Sequence, residues 1–205
     1  MIYVDPPIDH EEAKAVLTRA YEELFGDENL FAIGIAQAIG FKEGMYGAWG
    51  PEARSNNWGA ITRSPNQDGS CPTDSFVHGD SSFELGQYQT CFRIWPTSLA
   101  GAKGFLQELY VNRPKTHEYA KAGDIRGVAE DMYDTNYYLG TAPPEHRDAD
   151  GAYTNVNSYI RFIGTGIDEI SYLYPSGSPD SNSGIGLPIA IGAAALVGLA
   201  MVARR

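Results

Sequence analysis

The sequence predicts an α+β domain, mostly α, with a small β/loop lobe set between helices. Three observations carry this. Apolar residues recur at helical spacing over 9–26, 30–42, 96–109, 123–132 and 153–163. Residues 44–95 instead favour Gly, Asn, Ser, Asp and Pro, broken by short β-like runs at 58–62 and 89–94. The chain has 205 residues, 43% of them hydrophobic and 20% charged. That is enough for one real core and too apolar for a disordered chain.

The first helix is marked by Asp9, by Glu11 and Glu12 near the positive end of the helix dipole, and by Gly26 as its stop. Ala13, Val16, Leu17, Ala20, Tyr21 and Leu24 form its apolar stripe. The stretch before it has neither the basic start nor the apolar run of a signal peptide. The second helix, 30–42, is small or apolar almost all round, through Leu30, Phe31, Ile33, Ile35, Ala36, Ala38 and Ile39. A helix without a polar face belongs at the centre of a fold. After the lobe, Pro96-Thr97-Ser98 opens a helix bearing Leu99, Ala102, Phe105, Leu106 and Leu109. Gly123-Asp124 precedes another through Met132. Tyr137 and Tyr138 follow in a loop, and 153–163 forms the last helix.

Beyond the domain, 1–173, residues 174–184 read as a flexible Pro/Gly/Ser/Asn linker. Residues 185–203 are nineteen without a charge, followed by Arg204-Arg205. As a helix they reach roughly 28 Å, about one bilayer core. The segment 185–205 is therefore expected to be a membrane helix, its basic end cytoplasmic and the domain extracytoplasmic. The competing reading is a buried core helix.

The formal charge of −11 excludes nucleic acid as a partner, because no basic surface is available to displace counterions from phosphates. Cys71 and Cys91 are the two cysteines. They are either a disulfide, implying work outside a reducing cytoplasm, or buried thiols. His10, His78, His117 and His146 are scattered, so neither a metal nor any other cofactor is expected. Gly164-Thr165-Gly166 follows a helix rather than a strand and is discounted as a dinucleotide motif.

The chemistry centres on Glu43. It ends an apolar segment (Ile35, Ala36, Ala38, Ile39, Phe41) and is followed at once by Gly44. Protonating a glycosidic oxygen needs an acid kept neutral near pH 7 by apolar surroundings. The small Gly44 leaves room for a sugar ring. The bland alternative is a solvated Glu paired with Lys42 or capping the helix. Asn57 either holds an N-acetyl group or shapes a turn. Trp58 is either core or a sugar-stacking platform. Tyr137, Tyr138 and Tyr153 are many polar aromatics for a buried segment, and Tyr138 is the favoured hydroxyl near Glu43. Among Asp74, Asp80 and Glu84, Asp80 is favoured as the second catalytic or water-orienting group, because it lies in a loop between the two cysteines.

The segments KEGMYG and NNWGAIT, with Phe92-Arg93-Ile94-Trp95-Pro96-Thr97-Ser98 and the Tyr-rich stretch from Tyr133, resemble the lysozyme-like superfamily. They are most similar to the peptidoglycan N-acetylglucosaminidases of glycoside hydrolase family 73 and their phage relatives, over about residues 10–165. The resemblance implies a lysozyme-like fold, peptidoglycan as substrate and Glu43 as general acid. It also implies that Tyr88, with Gln87, lines the substrate groove. The chain departs from the family in having Gly44 in place of the usual Ser and a longer lobe at 63–91. Muramidase and lytic transglycosylase action are alternatives on the same fold. A non-catalytic wall-binding or virion component, with other envelope or virion proteins as partners, is the alternative from a different class.

Overall fold

The computed structural model describes residues 9–47, 55–64, 66–68, 70–78, 90–135, 137 and 154–174. They form an α+β domain, mostly α. Helix α1 (His10–Phe25) starts where the Asp9 carboxylate accepts the Glu12 N–H at 2.7 Å. It stops where Gly26, at φ 81°, turns the chain left-handed and returns its N–H to the Glu22 carbonyl. Ala13, Leu17, Ala20 and Tyr21 are its buried stripe. Helix α2 (Leu30–Gly44) starts with the Asn29 side chain accepting the Ala32 N–H at 2.9 Å. Ala32, Ile33, Ile35, Ala36, Ala38 and Ile39 are all fully buried, as a helix without a polar face must be. A 3₁₀ turn, Met45–Gly47, ends it.

The lobe carries a three-stranded antiparallel sheet of β1 (Thr62–Arg63), β2 (Ser75–His78) and β3 (Thr90–Arg93), with β3 in the middle. Thr62 faces Phe92, and Ser75 faces Arg93. Cys71 and Cys91 are joined as a disulfide with Cα atoms 5.5 Å apart, so the bonded alternative holds. The bridge ties the approach to β2 onto the central strand. The β-like run expected at 58–62 is mostly turn, and β2 was not anticipated.

Helix α3 (Ser98–Leu106) is capped by Thr97, whose hydroxyl accepts the Ala100 N–H at 3.1 Å, and runs into a π-helical turn, Gln107–Val111. Helix α4 (Pro114–Lys121) was not expected, and only Thr116 and Ala120 of it are buried. Helix α5 (Ile125–Asp134) is capped by Asp124, which accepts the Gly127 N–H at 2.9 Å. Helix α6 (Thr154–Ile170) runs seven residues past the expected end at 163 and closes in a 3₁₀ turn, Ser171–Leu173. Ile163, Ile167 and Ile170 continue its buried face. Gly166 lets α6 lie against α2, since a Cβ there would stand 2.9 Å from the Ala38 carbonyl oxygen.

One apolar cluster joins all six helices and takes in Trp58 from the lobe. Each fully buried Ile or Leu contributes about 1.5–3 kcal/mol relative to exposure. Tyr174, expected to open the linker, is instead buried against this cluster. Among the described residues no helix is long and apolar enough to cross a membrane. The rest of the expected linker and the expected membrane helix at 185–205 lie outside the described residues.

Candidate active site

Glu43 occupies the last turn of α2, where the core helix emerges toward the lobe. The residue as a whole is partly exposed, but its carboxyl end is largely buried. Tyr159, on α6, donates its hydroxyl to Oε1 at 2.6 Å. Burial pushes the Glu43 carboxyl above the ordinary carboxylate range, and the Tyr159 bond, which favours the ionised form, pulls back only in part. Lys42 does not neutralise it. Its ammonium reaches Glu169 Oε1 at 2.6 Å, on the far end of α6. Among the described residues no basic side chain forms an ion pair with Glu43, so the bland pairing with Lys42 does not occur.

The Glu43 charge is also felt at Tyr137. Burial raises the Tyr137 phenol well above its usual value, and the Glu43 charge raises it further. Its backbone N–H bonds the Met132 carbonyl at 2.8 Å. The Arg113 guanidinium lies 5.0 Å from its ring centre. Arg113 is itself fixed by Glu108 Oε1 at 2.7 Å and Thr135 Oγ1 at 2.9 Å. The Tyr137 hydroxyl is buried and has no hydrogen-bond partner among the described residues. Gly59 makes room for it, since a Cβ there would come within 2.8 Å of that oxygen and 2.5 Å of the Phe105 ring.

The Asn57-Trp58 segment supports this wall from behind. Asn57 donates from Nδ2 to the Ile61 carbonyl at 2.9 Å and accepts the Ile61 N–H on Oδ1 at 2.8 Å. Both ends of its amide close the turn, which supports the turn-shaping reading. Trp58 is fully buried, 5.1 Å from Tyr46 ring to ring and against Gly40. It has no face for a sugar, and the core reading replaces the platform. Tyr46, Asn56 and Ala60 all have positive φ, at 59°, 51° and 48°. Such non-glycine residues cost about 1–3 kcal/mol each and tend to gather at functional sites.

Asp74 is an ordinary ion-pair partner of Arg63 at 3.1 Å. Asp80, Glu84, Gln87, Tyr88, Tyr138 and Tyr153 lie outside the described residues. Tyr159 went unnoticed in the sequence because it sits inside a helix rather than in the Tyr-rich loop. Its signal was a polar aromatic on the helical stripe Val156, Tyr159, Ile163. Among the described residues no three His, Cys, Asp or Glu side chains are grouped as a metal ion would require. What the site can do is hold and release one proton at a largely buried carboxyl that is hydrogen-bonded by one phenol and whose charge is felt by a second. No family model, curated protein or solved structure matches the chain.

Proposed function

We propose that the chain is a peptidoglycan-cleaving glycosidase of lysozyme-like fold, acting as an N-acetylglucosaminidase on β-1,4 bonds, with Glu43 as general acid. The observation that carries this reading is the largely buried Glu43 carboxyl at the end of the core helix, with no cation paired to it among the described residues and held by the Tyr159 hydroxyl. A helix ending in such an acid beside a small antiparallel sheet matches the order of elements in the resembled superfamily. The protonated carboxyl gives its proton to the glycosidic oxygen as the C1–O bond breaks and the electron pair leaves with that oxygen. The sugar becomes oxocarbenium-like, and water completes hydrolysis. The Tyr159 donor is aimed at the carboxylate that forms, so its bond strengthens as the proton departs.

A second reading draws on the absence, among the described residues, of any other carboxylate perturbing Glu43. One acid suffices for a lytic transglycosylase, where the sugar's own 6-hydroxyl attacks and no activated water is needed. In either case the tail would tether the domain to a membrane with its site extracytoplasmic, and the disulfide suits such a compartment.

The test is digestion of purified sacculi by the full chain. Wild type should release glycan fragments, Glu43→Gln should release none, and both should bind sacculi equally. Mass spectrometry identifies the bond: a reducing N-acetylglucosamine end marks the glucosaminidase, and a 1,6-anhydro end the transglycosylase. Binding without any release by wild type would overturn the enzymatic reading in favour of a wall-binding component.

A further inference from the structure

Gln37 is a fully buried polar side chain on α2, six residues before Glu43. Every hydrogen-bonding group of its amide is engaged. Nε2 donates to the His10 carbonyl at 2.8 Å and to the Tyr46 hydroxyl at 3.3 Å. Oε1 accepts the Tyr174 hydroxyl. The Tyr46 hydroxyl lies 2.6 Å from His10 Nδ1. That oxygen also accepts from Gln37, and whether it donates to His10 or accepts from it is set by the His10 tautomer. A buried network with every member satisfied is stiff, and it specifies a single arrangement.

This network holds a strained backbone. Tyr46 sits at φ 59°, ψ 32°, in the turn that ends α2 three residues after Glu43. A left-handed tyrosine persists only if its surroundings impose it. Here they do so through a ring that is 1% exposed and a hydroxyl held from two sides. The other end of the network is latched as firmly. The Tyr174 ring packs on the bare backbone of Gly34, a Cβ there standing 3.5 Å from it. The Lys14 ammonium covers the ring at 4.6 Å and donates to the Leu173 carbonyl at 2.7 Å.

The geometry points to Gln37, locked by Tyr174, as a positioning residue that pins the left-handed turn at Tyr46 and so fixes the end of α2 and the aim of the Glu43 carboxyl. Its functional meaning rests on the reading of Glu43 as the acid. Its test does not. Tyr174→Phe leaves Gln37 Oε1 without its donor and keeps the ring. Gln37→Leu removes the whole junction at similar volume.

Both variants are made in the full chain. Amide hydrogen exchange is followed at residues 44–47, and the Glu43 carboxyl is titrated by carbon-13 NMR. Tyr174→Phe should speed exchange at Tyr46 and Gly47 at least tenfold, while α4 and α5 stay within twofold of wild type. Glu43 should titrate closer to an ordinary carboxylate as water reaches the loosened helix end. A merely structural Tyr174 would speed exchange at 171–174 alone and leave the Glu43 titration where it was, which overturns the proposal. Should Gln37→Leu fail to fold, Tyr174→Phe decides alone. A wild type that released no glycan fragments would defeat the glycosidase reading and leave the exchange and titration results to judge the positioning role separately.

Discussion

Replacing Tyr159 with Phe removes one oxygen and keeps the ring that packs beside Phe162 at 5.1 Å. The lost contact is a 2.6 Å hydroxyl-to-carboxyl hydrogen bond. A bond to an ionised group contributes about 1.5–3 kcal/mol net, and a neutral one about 0.5–1.5 kcal/mol. The difference, about 1–1.5 kcal/mol, is what Tyr159 supplies in favour of the ionised form. Losing it raises the ratio of protonated to ionised Glu43 roughly tenfold at a fixed pH. The displacement adds to that of burial, because both disfavour the charge. Carbon-13 titration of the Glu43 carboxyl measures it directly. In the glycan assay, the limb on which activity declines with rising pH should move to higher pH. The plateau should fall as well, since the carboxylate formed in the reaction has lost its donor. A titration midpoint that stays put or moves to lower pH would falsify the assignment of Tyr159 as the hydroxyl that tunes this acid.

Glu43→Gln should also change stability in a pH-dependent way. The folded chain holds the Glu43 proton more tightly than the unfolded chain, so folding weakens as pH rises from about 4.3 through the raised folded value, by about 1.4 kcal/mol for each unit of displacement. By calorimetry the variant should melt above wild type at pH 8, with the gap closing by pH 4. A gap of the opposite sign contradicts the raised carboxyl. Tyr137→Phe removes a buried hydroxyl without a described partner. It should recover about 1–3 kcal/mol of desolvation and lift the melting midpoint by about 2–4 °C per kcal/mol. If that hydroxyl serves the site, turnover falls in the same variant. A lower midpoint would mean the hydroxyl is already satisfied. Converting Cys71 and Cys91 together to Ser opens a loop with a sequence separation of 20 and should cost about 3 kcal/mol in denaturant unfolding. Reductant should produce a similar loss in wild type, and a loss below about 1 kcal/mol would show that the bridge constrains little.

The helix signals that were legible are those written in local chemistry. Asp9, Thr97 and Asp124 each cap a helix as their side chains allow, and Gly26 ends one in the conformation that glycine reaches most easily. The fully apolar α2 announced its central place. Helix α4 was missed because PKTHEYAK has almost no apolar stripe, and Pro114 at its first turn was the available sign. Helix α6 was cut short at Gly164-Thr165-Gly166, which local propensity marks as a break. The break does not occur because Gly166 is used for close approach to α2, a property of the pair of helices rather than of either sequence. The same limit applies to the site. Glu43 was visible as an acid closing an apolar run. Its phenol neighbour Tyr159 is 116 positions away and became visible only once α6 lay on α2. Trp58 and Asn57 were placed beside the acid's segment, with core against platform and turn against ligand contact left open. An exposed and a buried indole have the same letters, and only the packing of Gly40 and Tyr46 around Trp58 distinguishes them.

The amide of Gln37 touches the carbonyl of His10 and the phenol of Tyr174, so the start of the first helix and the close of the last turn lie within one side chain's reach. Domains whose ends meet in this way accept circular permutation. A short Gly/Ser bridge from Tyr174 to Asp9, with new termini cut between α4 and α5, would rearrange the order of the chain while keeping Glu43, Tyr137 and Tyr159 on their own elements.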